Sequence, residues 1–189
     1  MNKILKLFEK HNAYLKGHFQ LSSGLHSNGY MQCALVLQYP KYSQKFGKAI
    51  AELYKDEKID CVVGPAMGGV IIAFDVARAL KVRSIFTERK DGKMALRRGF
   101  SINKGERILV VEDVITTGGS AAEVIELLQG MGACVVGVSS IIDRSNGAAG
   151  FTVPFKPLTK ADIATYDPQV CPLCKKGLPI DKPGSRSNA

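Results

Sequence analysis

Two adjacent carboxylates and a loop of hydroxyls and glycines stand together in residues 107–120. Residues 108–111 are a short apolar run typical of a strand buried on both faces, and Glu112 and Asp113 end it. The loop that follows consists of Thr116, Thr117, Gly118, Gly119 and Ser120, and residues 121–131 then show a helical pattern. Such a strand, loop and helix N-terminus form an anion site, because backbone N–H groups point outward and the helix dipole favours phosphate.

The two carboxylates narrow the choice of ligand. Glu112 and Asp113 would repel a bare anion, so the ligand should also carry vicinal hydroxyls or a divalent cation. A ribose 5-phosphate offers both features. The alternative is an ordinary turn in which Gly118 and Gly119 only permit tight geometry. The Glu-Asp pair before the loop and the helix after it favour the ligand site.

A second stretch repeats this pattern earlier in the chain. Residues 59–63 read as a buried strand and residues 70–80 as a helix. The loop between them is Gly64, Pro65, Ala66, Met67, Gly68 and Gly69. Gly-Pro and Gly-Gly are also plain turn signals, but the recurrence at a helix N-terminus favours a second anion pocket.

Basic residues cluster in residues 88–100, which show neither helical nor strand periodicity after a predicted strand at 82–87. The cations of this segment are Arg89, Lys90, Lys93, Arg97 and Arg98. A charge run is usually solvated surface. Beside two phosphate pockets, however, a basic loop with glycine hinges predicts a lid over an anionic substrate.

An arginine follows the predicted strand at residues 134–142. Ligands of open parallel sheets bind beyond the carboxyl ends of strands, and Arg144 lies at such an end. Its planar guanidinium could bind a carboxylate or an imide edge in a bidentate manner. An arginine paired with Asp143, or solvated, fits this position equally well.

The remaining elements indicate an α/β fold in one domain spanning residues 1–189. Residues 2–13 and 42–54 read as amphipathic helices, residues 33–37 as an apolar strand, and residues 19–31 as a polar loop before it. Thr152-Val153-Pro154-Phe155 reads as an edge strand because of its proline.

The bulk numbers exclude several classes of protein. The 189 residues carry a formal charge of +9, and the pI is near 9.4. This charge fits either nucleic acid or an anionic small substrate, and the lack of interleaved aromatics favours the small substrate. No apolar run approaches the roughly 20 residues that cross a bilayer, and the N-terminus is unlike a secretory signal. We therefore expect a cytoplasmic protein that binds neither nucleic acid nor membrane.

The five cysteines argue against a disulfide framework because their number is odd. Cys33, Cys61 and Cys134 lie in or beside apolar runs and should be buried small hydrophobes. Cys171 and Cys174 form a Cys-x-x-Cys knuckle, which can be half of a zinc site. The chain has no second such pair, and its histidines, His11, His18 and His26, are too distant in sequence to assign. We therefore favour a structural knuckle, with zinc as the alternative.

Taken in order, these pieces resemble the orotate phosphoribosyltransferases, of the type I phosphoribosyltransferase family, over nearly the whole chain. The loop at 112–120 is similar to the family's phosphoribosyl-pyrophosphate (PRPP) motif. Three further segments point to the orotate enzymes. They are Leu21-Ser22-Ser23-Gly24 with Ser27 and Tyr30, the basic Arg89-Lys90 with Lys93, and Ile142-Asp143-Arg144.

The resemblance implies a fold and a reaction. The fold is a central, mostly parallel sheet flanked by helices, with a core at about residues 40–150 and a small hood from about residues 1–38 and the C-terminal segment. The reaction converts orotate and PRPP into orotidine 5′-monophosphate and pyrophosphate, a step of pyrimidine biosynthesis. It implies Mg²⁺, bound through PRPP with no assigned protein ligand, and a homodimer.

The resemblance also implies roles for individual residues. Glu112 and Asp113 hold the ribose hydroxyls. The PRPP site as a whole comprises Glu112, Asp113, Val114, Ile115, Thr116, Thr117, Gly118, Gly119 and Ser120. Pyrophosphate binds Pro65, Ala66, Met67, Gly68 and Gly69. Thr116, Arg144 and Tyr30 contact orotate, while Arg89, Lys90 and Lys93 come from a mobile loop that reaches the neighbouring subunit.

The chain departs from the family pattern at three positions. Ser22 and Ala95 stand where many members carry Lys and His, and the first acid is Glu112 rather than the commoner Asp. Two other functions stay open. One is a purine phosphoribosyltransferase, which would have less use for Arg144. The other is a nucleotide-sensing regulator on the same fold, which would not need Lys93.

Overall fold

The computed structural model describes residues 3–21 and 23–183. The chain divides into two compact units. The terminal unit comprises residues 1–36 and 161–189, and the central unit comprises residues 37–160. Ser22, which the resemblance places in the hood, lies outside the described residues.

The chain contains helices and strands in mixed order. The helices are α1 (Lys3–Lys10), α2 (Ala34–Leu37), α3 (Pro40–Leu53), α4 (Gly68–Leu80), α5 (Gly119–Gly130) and α6 (Pro172–Lys175), with a 3₁₀ turn at Pro168–Val170. The strands are β1 (Tyr14–Gln20), β2 (His26–Met31), β3 (Cys61–Pro65), β4 (Arg83–Lys90), β5 (Lys93–Leu96), β6 (Arg107–Ile115), β7 (Cys134–Asp143), β8 (Phe155–Lys160) and β9 (Thr165–Tyr166).

The central unit is built on a six-stranded sheet in the order β5-β4-β3-β6-β7-β8. Only the β4–β5 pairing is antiparallel, and the other pairings are parallel. Helix α4 follows β3 and helix α5 follows β6, as expected for parallel strands that need crossover connections. The predicted α/β class with a mostly parallel sheet is confirmed.

Strand β6 is buried on both faces, as its apolar run predicts. Ile108 and Val110 belong to the hydrophobic cluster that includes Val124 and Leu128 of α5. The residues between and after them, Leu109 and Val111, point to the opposite face and are also fully buried. The sheet therefore has helices on both sides, and only the strand ends remain open for a ligand.

The terminal unit contains a three-stranded antiparallel sheet in the order β1-β2-β9. The predicted polar loop at residues 19–31 is therefore wrong, because most of it is paired as the β1–β2 hairpin. The predicted strand at residues 33–37 is also wrong, since this stretch contains the short helix α2. The periodicity of so short an apolar run does not distinguish a strand from a helix.

The basic segment after residue 87 is a β-hairpin rather than an irregular loop. Strand β4 continues to Lys90, and Lys90 pairs with Lys93 across a two-residue turn. Asp91 and Gly92 form that turn with positive φ angles of 53° and 79°. Asp-Gly is a strong signal for this hairpin turn, and the charge density of the segment masked it.

Three smaller differences concern the ends of two strands and the exposure of one cysteine. Strand β6 extends to Ile115, so Glu112 and Asp113 lie within the strand instead of ending it. The predicted edge strand at 152–155 overlaps the observed strand only at Phe155, where β8 begins, and β8 is an edge strand that accommodates Pro157. Cys134 is exposed, contrary to the prediction that it is buried.

Within the described part of the chain, the helices are all too short or too polar to span a bilayer.

Candidate functional site

The two carboxylates of β6 lie directly against the glycines of the loop after β3. A Cβ atom on Gly68 would stand 2.6 Å from both carboxylate oxygens of Asp113. A Cβ atom on Gly69 would stand 2.8 Å from the Val111 carbonyl oxygen and 3.1 Å from Oε2 of Glu112. A side chain at Gly68 would therefore have to displace the Asp113 carboxylate. The two predicted anion loops therefore meet at the Glu-Asp pair.

Parallel pairing explains why these loops meet. Strands β3 and β6 are neighbours in register, with Val63 opposite Val110, so their carboxyl ends open at the same edge of the sheet. The loop after β3 contains a cis peptide between Ala66 and Met67, and helix α4 begins at Gly68. The backbone N–H of Ala66 donates to the carbonyl of Thr87 at 2.8 Å, which ties this loop to β4.

The electrostatics of the Glu-Asp pair favour ligands that donate hydrogen bonds or carry positive charge. Burial, and to a lesser extent the neighbouring charge of Asp113, raise the pKa of Glu112 well above its usual range, although its side chain retains some solvent exposure. One oxygen of Asp113 accepts a hydrogen bond from the Val114 N–H at 2.8 Å. Ribose hydroxyls would stabilise the charged form of Glu112 by donating to it.

The loop after β6 has the geometry of an anion cradle. Gly118 adopts a φ of +81°, and a Cβ atom there would stand 2.9 Å from the ring of Phe151, so the position requires glycine. Helix α5 begins at Gly119, whose N–H approaches Oγ1 of Thr117 at 3.4 Å. The N–H groups of a first helical turn have no acceptor within the helix, and a phosphate can supply one.

Arg144 lies at the same edge of the sheet as this loop. Ile115 and Asp143 are paired across β6 and β7, and the Arg144 N–H donates to the Ile115 carbonyl at 2.8 Å. Thr116 directly follows Ile115 and Arg144 directly follows Asp143, so both residues lie just beyond this pair. The side chain of Arg144 is buried, with 3% exposure, which excludes the solvated alternative. A buried guanidinium is a strong site for a planar anion.

The hairpin β4–β5 is anchored to helix α5 through Arg89. Its guanidinium donates to both carboxylate oxygens of Glu123 on α5, at 3.0 and 2.8 Å, and to the Gly92 carbonyl at 2.6 Å. Lys90 and Lys93 flank the turn and are exposed. Of the three predicted basic residues, Arg89 is therefore held in an ion pair, whereas Lys90 and Lys93 are exposed.

The terminal unit holds the remaining predicted site residue. Tyr30 lies on β2, with its ring 5.9 Å from the ring of Phe19. Its predicted contact with orotate stays a prediction. Ser27 is buried, and its hydroxyl lies 2.8 Å from the Gly29 carbonyl oxygen and 2.9 Å from the Ala164 carbonyl oxygen, so it ties β2 to the segment just before β9.

The sequence left one cluster of side chains unassigned. The structure brings His18 and His26 of the β1–β2 hairpin together with Cys171 and Cys174 near the C-terminus. The signal in the sequence was the Cys-x-x-Cys pair and the presence of histidines. Their separation along the chain prevented an assignment before the fold was known.

Comparison with known proteins identifies the family. A family model described as the phosphoribosyl transferase domain matches residues 35–150. The orotate phosphoribosyltransferase of Caldanaerobacter subterraneus is 56% identical over 184 residues, which cover 97% of this chain and 97% of that protein. The orotate phosphoribosyltransferase of Thermotoga maritima is 56% identical over 183 residues, covering 97% and 98% of the two chains.

Solved structures agree with this result. The orotate phosphoribosyltransferase from Aeropyrum pernix matches with a TM-score of 0.69 and 28% identity, covering 83% of this chain and 93% of that chain. The Mycobacterium tuberculosis enzyme, solved in complex with inorganic phosphate, matches with a TM-score of 0.65 and 26% identity, covering 83% and 95%. The chain therefore belongs to the phosphoribosyl transferase family and, within it, to the orotate phosphoribosyltransferases. The resemblance drawn from the sequence is confirmed.

Proposed function

We propose that this protein transfers the 5-phosphoribosyl group of PRPP to orotate, giving orotidine 5′-monophosphate and pyrophosphate. The observation that carries the proposal is the junction of two glycine loops at the Glu-Asp pair, where Gly68 touches Asp113. A substrate with a phosphate at one end, a diol in the middle and a pyrophosphate at the other matches two anion loops on either side of two carboxylates.

PRPP would bind along this line of groups. The ribose hydroxyls donate to Glu112 and Asp113, and the 5-phosphate accepts from the backbone N–H groups of residues 116–120. The pyrophosphate lies along residues 65–69. The close packing of Gly69 against Glu112 supports this arrangement, since it leaves little distance between the sugar site and the leaving-group site.

Mg²⁺ brought in with PRPP fits the same junction, because the two carboxylates there attract a cation. We assign the ion mainly to the oxygens of PRPP, with Glu112 and Asp113 as ribose-hydroxyl acceptors close to it. When bound, Mg²⁺ neutralises charge on the pyrophosphate. The protein's own contribution is to hold the ribose still while the bond to the leaving group breaks.

The reaction exchanges one bond at C1 of the ribose for another. The C1–oxygen bond to pyrophosphate breaks with its electron pair leaving on pyrophosphate. N1 of the orotate anion forms the new bond to C1, and the N1–H proton passes to the departing pyrophosphate. Positive charge develops on the ribose and negative charge on the leaving group. Lys93 and Lys90, exposed at the hairpin turn, stabilise that negative charge. Because the departing pyrophosphate can accept the N1 proton, no strong general base on the protein is required.

The base site is assigned to the carboxyl ends of β6 and β7. Arg144 binds the orotate carboxylate or its imide edge, and Thr116 contributes a hydroxyl beside it. The 3% exposure of Arg144 supports this role, because a desolvated guanidinium discriminates strongly between an anionic and a neutral base. Tyr30 of the terminal unit is proposed as a further contact to orotate.

Since orotate and PRPP are charged metabolites that do not cross membranes unaided, we place the enzyme in the cytoplasm.

A homodimer is also proposed. The exposed side of α4 presents Met67, Ile71 and Phe74, which are 80%, 47% and 60% exposed and spaced as one helical stripe. Exposed apolar stripes of this kind mark interaction surfaces. A second copy of the chain is the proposed occupant, because the stripe begins at Met67 in the pyrophosphate loop and would bring a neighbouring hairpin toward that loop.

The activity is tested by incubating the full chain with PRPP, Mg²⁺ and orotate while following loss of orotate absorbance. Turnover with orotate is expected. Turnover with hypoxanthine or guanine but not with orotate would support a purine enzyme instead. No turnover with any base, together with salt-sensitive binding of RNA or DNA, would support the regulator.

The dimer is tested by light scattering on Phe74→Asp, which should shift the protein toward monomer. Subunit exchange then tests whether the hairpin acts on the neighbouring site. Lys93→Ala and Arg144→Met, each inactive alone, should recover about a quarter of wild-type turnover when mixed, because half the dimers carry one intact site. No recovery would place Lys93 in its own subunit's site.

A further inference from the structure

Four side chains of the terminal unit converge on one point. Nε2 of His18 lies 3.0 Å from Nδ1 of His26 and 3.7 Å from the sulfur atoms of both Cys171 and Cys174. The Cys174 sulfur lies 3.3 Å from Nδ1 of His26. All four candidate ligand atoms lie within 4.8 Å of one another.

These distances match the edges of a tetrahedral zinc site. With Zn–N bonds of about 2.0–2.1 Å and Zn–S bonds of about 2.3 Å, tetrahedral angles place two nitrogens about 3.3 Å apart and a nitrogen and a sulfur about 3.6 Å apart. The observed separations are 3.0 Å for the nitrogens and 3.3–3.7 Å for nitrogen to sulfur. A single ion at the centre would therefore reach all four atoms with little movement.

The surroundings prepare His18 and His26 as ligands. The other ring nitrogen of His18, Nδ1, lies 2.9 Å from the carbonyl oxygen of Leu178, which can only accept a hydrogen bond. This contact places the proton on Nδ1 and leaves the Nε2 lone pair directed into the cluster, as in zinc sites whose histidines are oriented by an outer partner. His18 and His26 are 5% and 7% exposed, so neither ring is a solvated surface histidine.

The cysteines lie on a compact knuckle that presents both sulfur atoms to the same side. The Gly177 N–H donates to the Cys174 carbonyl at 2.9 Å, and Gly177 has a positive φ of 68°. The Leu178 N–H donates to the Leu173 carbonyl at 3.2 Å, which returns the chain to His18. Cys171 is buried and Cys174 is exposed, so the cluster is enclosed yet has an open approach for an ion.

We propose that His18, His26, Cys171 and Cys174 bind one zinc ion in a closed, structural site. Two thiolates and two imidazoles in a tetrahedron are typical of zinc, and four protein ligands leave no position for a substrate. The site joins the β1–β2 hairpin to a segment 153 residues later in the chain. Metal binding therefore stabilises the terminal unit by linking its two segments, as structural zinc does in small domains.

The direct test is the metal content of the full-length protein purified without chelator. Mass spectrometry of the metals should find about one zinc per chain, and replacement by Co²⁺ should give the visible bands of tetrahedral cobalt with thiolate ligands. Cys174→Ser should lose most of the metal, while Cys134→Ser, which changes an exposed cysteine outside the cluster, should retain it.

Stability and thiol chemistry give independent readouts on the unmodified protein. A strong chelator should lower Tm, and added zinc should restore it. Less than about a tenth of a zinc per chain, with no uptake of Zn²⁺ or Co²⁺ by the reduced protein, would overturn the proposal. So would a Cys171–Cys174 disulfide in the protein purified under reducing conditions, or full metal content in Cys174→Ser.

Discussion

Arg89 and Glu123 form a bidentate ion pair that joins the basic hairpin to helix α5. Both guanidinium NH₂ groups donate to Glu123, and the carboxylate of Glu123 stands in the second turn of α5. Arg89 is therefore held in place by an ion pair within the chain. The pair is only partly exposed, at 28% and 41% of the two side chains, and its bidentate geometry is the favourable one for such pairs.

This pair leads to the first prediction. Arg89→Ala should lower kcat/KM about tenfold or more, because the hairpin that carries Lys93 loses its anchor to α5. The free energy of unfolding should fall by less than about 1 kcal/mol, as expected for a partly exposed pair. Steady-state kinetics and urea denaturation measure the two effects. The matched control is Arg98→Ala, which breaks the pair with Glu88 on the same hairpin and should leave kcat/KM within about twofold. Equal losses in the two variants would contradict the anchoring role.

A variant of Lys93 tests whether this residue acts on the chemical step or on the binding of PRPP. Lys93→Ala should reduce kcat by about two to three orders of magnitude while PRPP binding stays measurable, because the lysine acts on charge that develops as pyrophosphate leaves. Single-turnover kinetics and calorimetry with PRPP test the two parts. Lys104→Ala removes an exposed lysine outside the hairpin and serves as the control. Near-normal turnover of Lys93→Ala would refute the role.

Gly68 tests the junction of the two loops. Gly68→Ala should reduce kcat/KM at least about a hundredfold, because its Cβ would stand 2.6 Å from both oxygens of Asp113 and displace this carboxylate from the ribose site. Gly130→Ala, at the end of α5 where an added Cβ meets nothing within 4 Å, should be neutral or slightly stabilising. An active Gly68→Ala enzyme would show that the contact is not needed.

A variant of Arg144 tests whether this residue selects orotate as the acceptor nucleobase. Arg144→Lys keeps the charge but removes the fork, so KM for orotate should rise at least about tenfold with little change in PRPP affinity. Initial rates at varied orotate, and calorimetry with PRPP alone, distinguish the two ligands. The outcome that would contradict this assignment is a proportional loss of affinity for both substrates.

Glu112 gives a pH dependence of stability. Its pKa is raised in the folded protein, chiefly by burial, so the folded state binds more protons than the unfolded state between the ordinary Glu pKa of 4.5 and the raised value. The free energy of unfolding therefore falls as pH rises through this window. Glu112→Gln removes the effect, and without ligands it should be more stable than wild type at neutral pH.

Urea denaturation at several pH values measures the prediction for Glu112→Gln. Its advantage should shrink as pH falls through this window and level off below pH 4.5, where the wild-type carboxyl becomes protonated in both states. Glu126→Gln, on the exposed side of α5, should show no such trend. A constant difference across this pH range would indicate that the effect comes from packing and not from the charge of Glu112.

Much of the central unit could be predicted from the sequence because its signals are local. The apolar run at β6 and the glycines before α5 specify a buried strand and a helix start within a few residues. The hairpin at Asp91-Gly92 was missed although its turn signal is local, because the surrounding charges suggested an irregular lid. Helix α2 was missed because four or five apolar residues satisfy either periodicity.

The sequence by itself determined the chemical groups of this protein and their order: an acid pair, two glycine loops, a basic segment and an arginine after a strand. These signals are set by backbone geometry within one strand–loop–helix unit, so no distant contact is needed to recognise them. Their mutual distances were not determined, since register between parallel strands depends on side chains far apart in the chain. Only the tertiary structure placed Gly68 against Asp113 and Arg89 on Glu123.

The same reason explains His18, His26, Cys171 and Cys174. Each residue type was visible in the sequence, but a metal site needs four atoms within a few ångströms of one point. Folding brings the β1–β2 hairpin to the C-terminal knuckle across about 150 residues of chain, and no local pattern encodes that approach. Half of the ligand set could be read from the Cys-x-x-Cys spacing, and the fold supplied the other half.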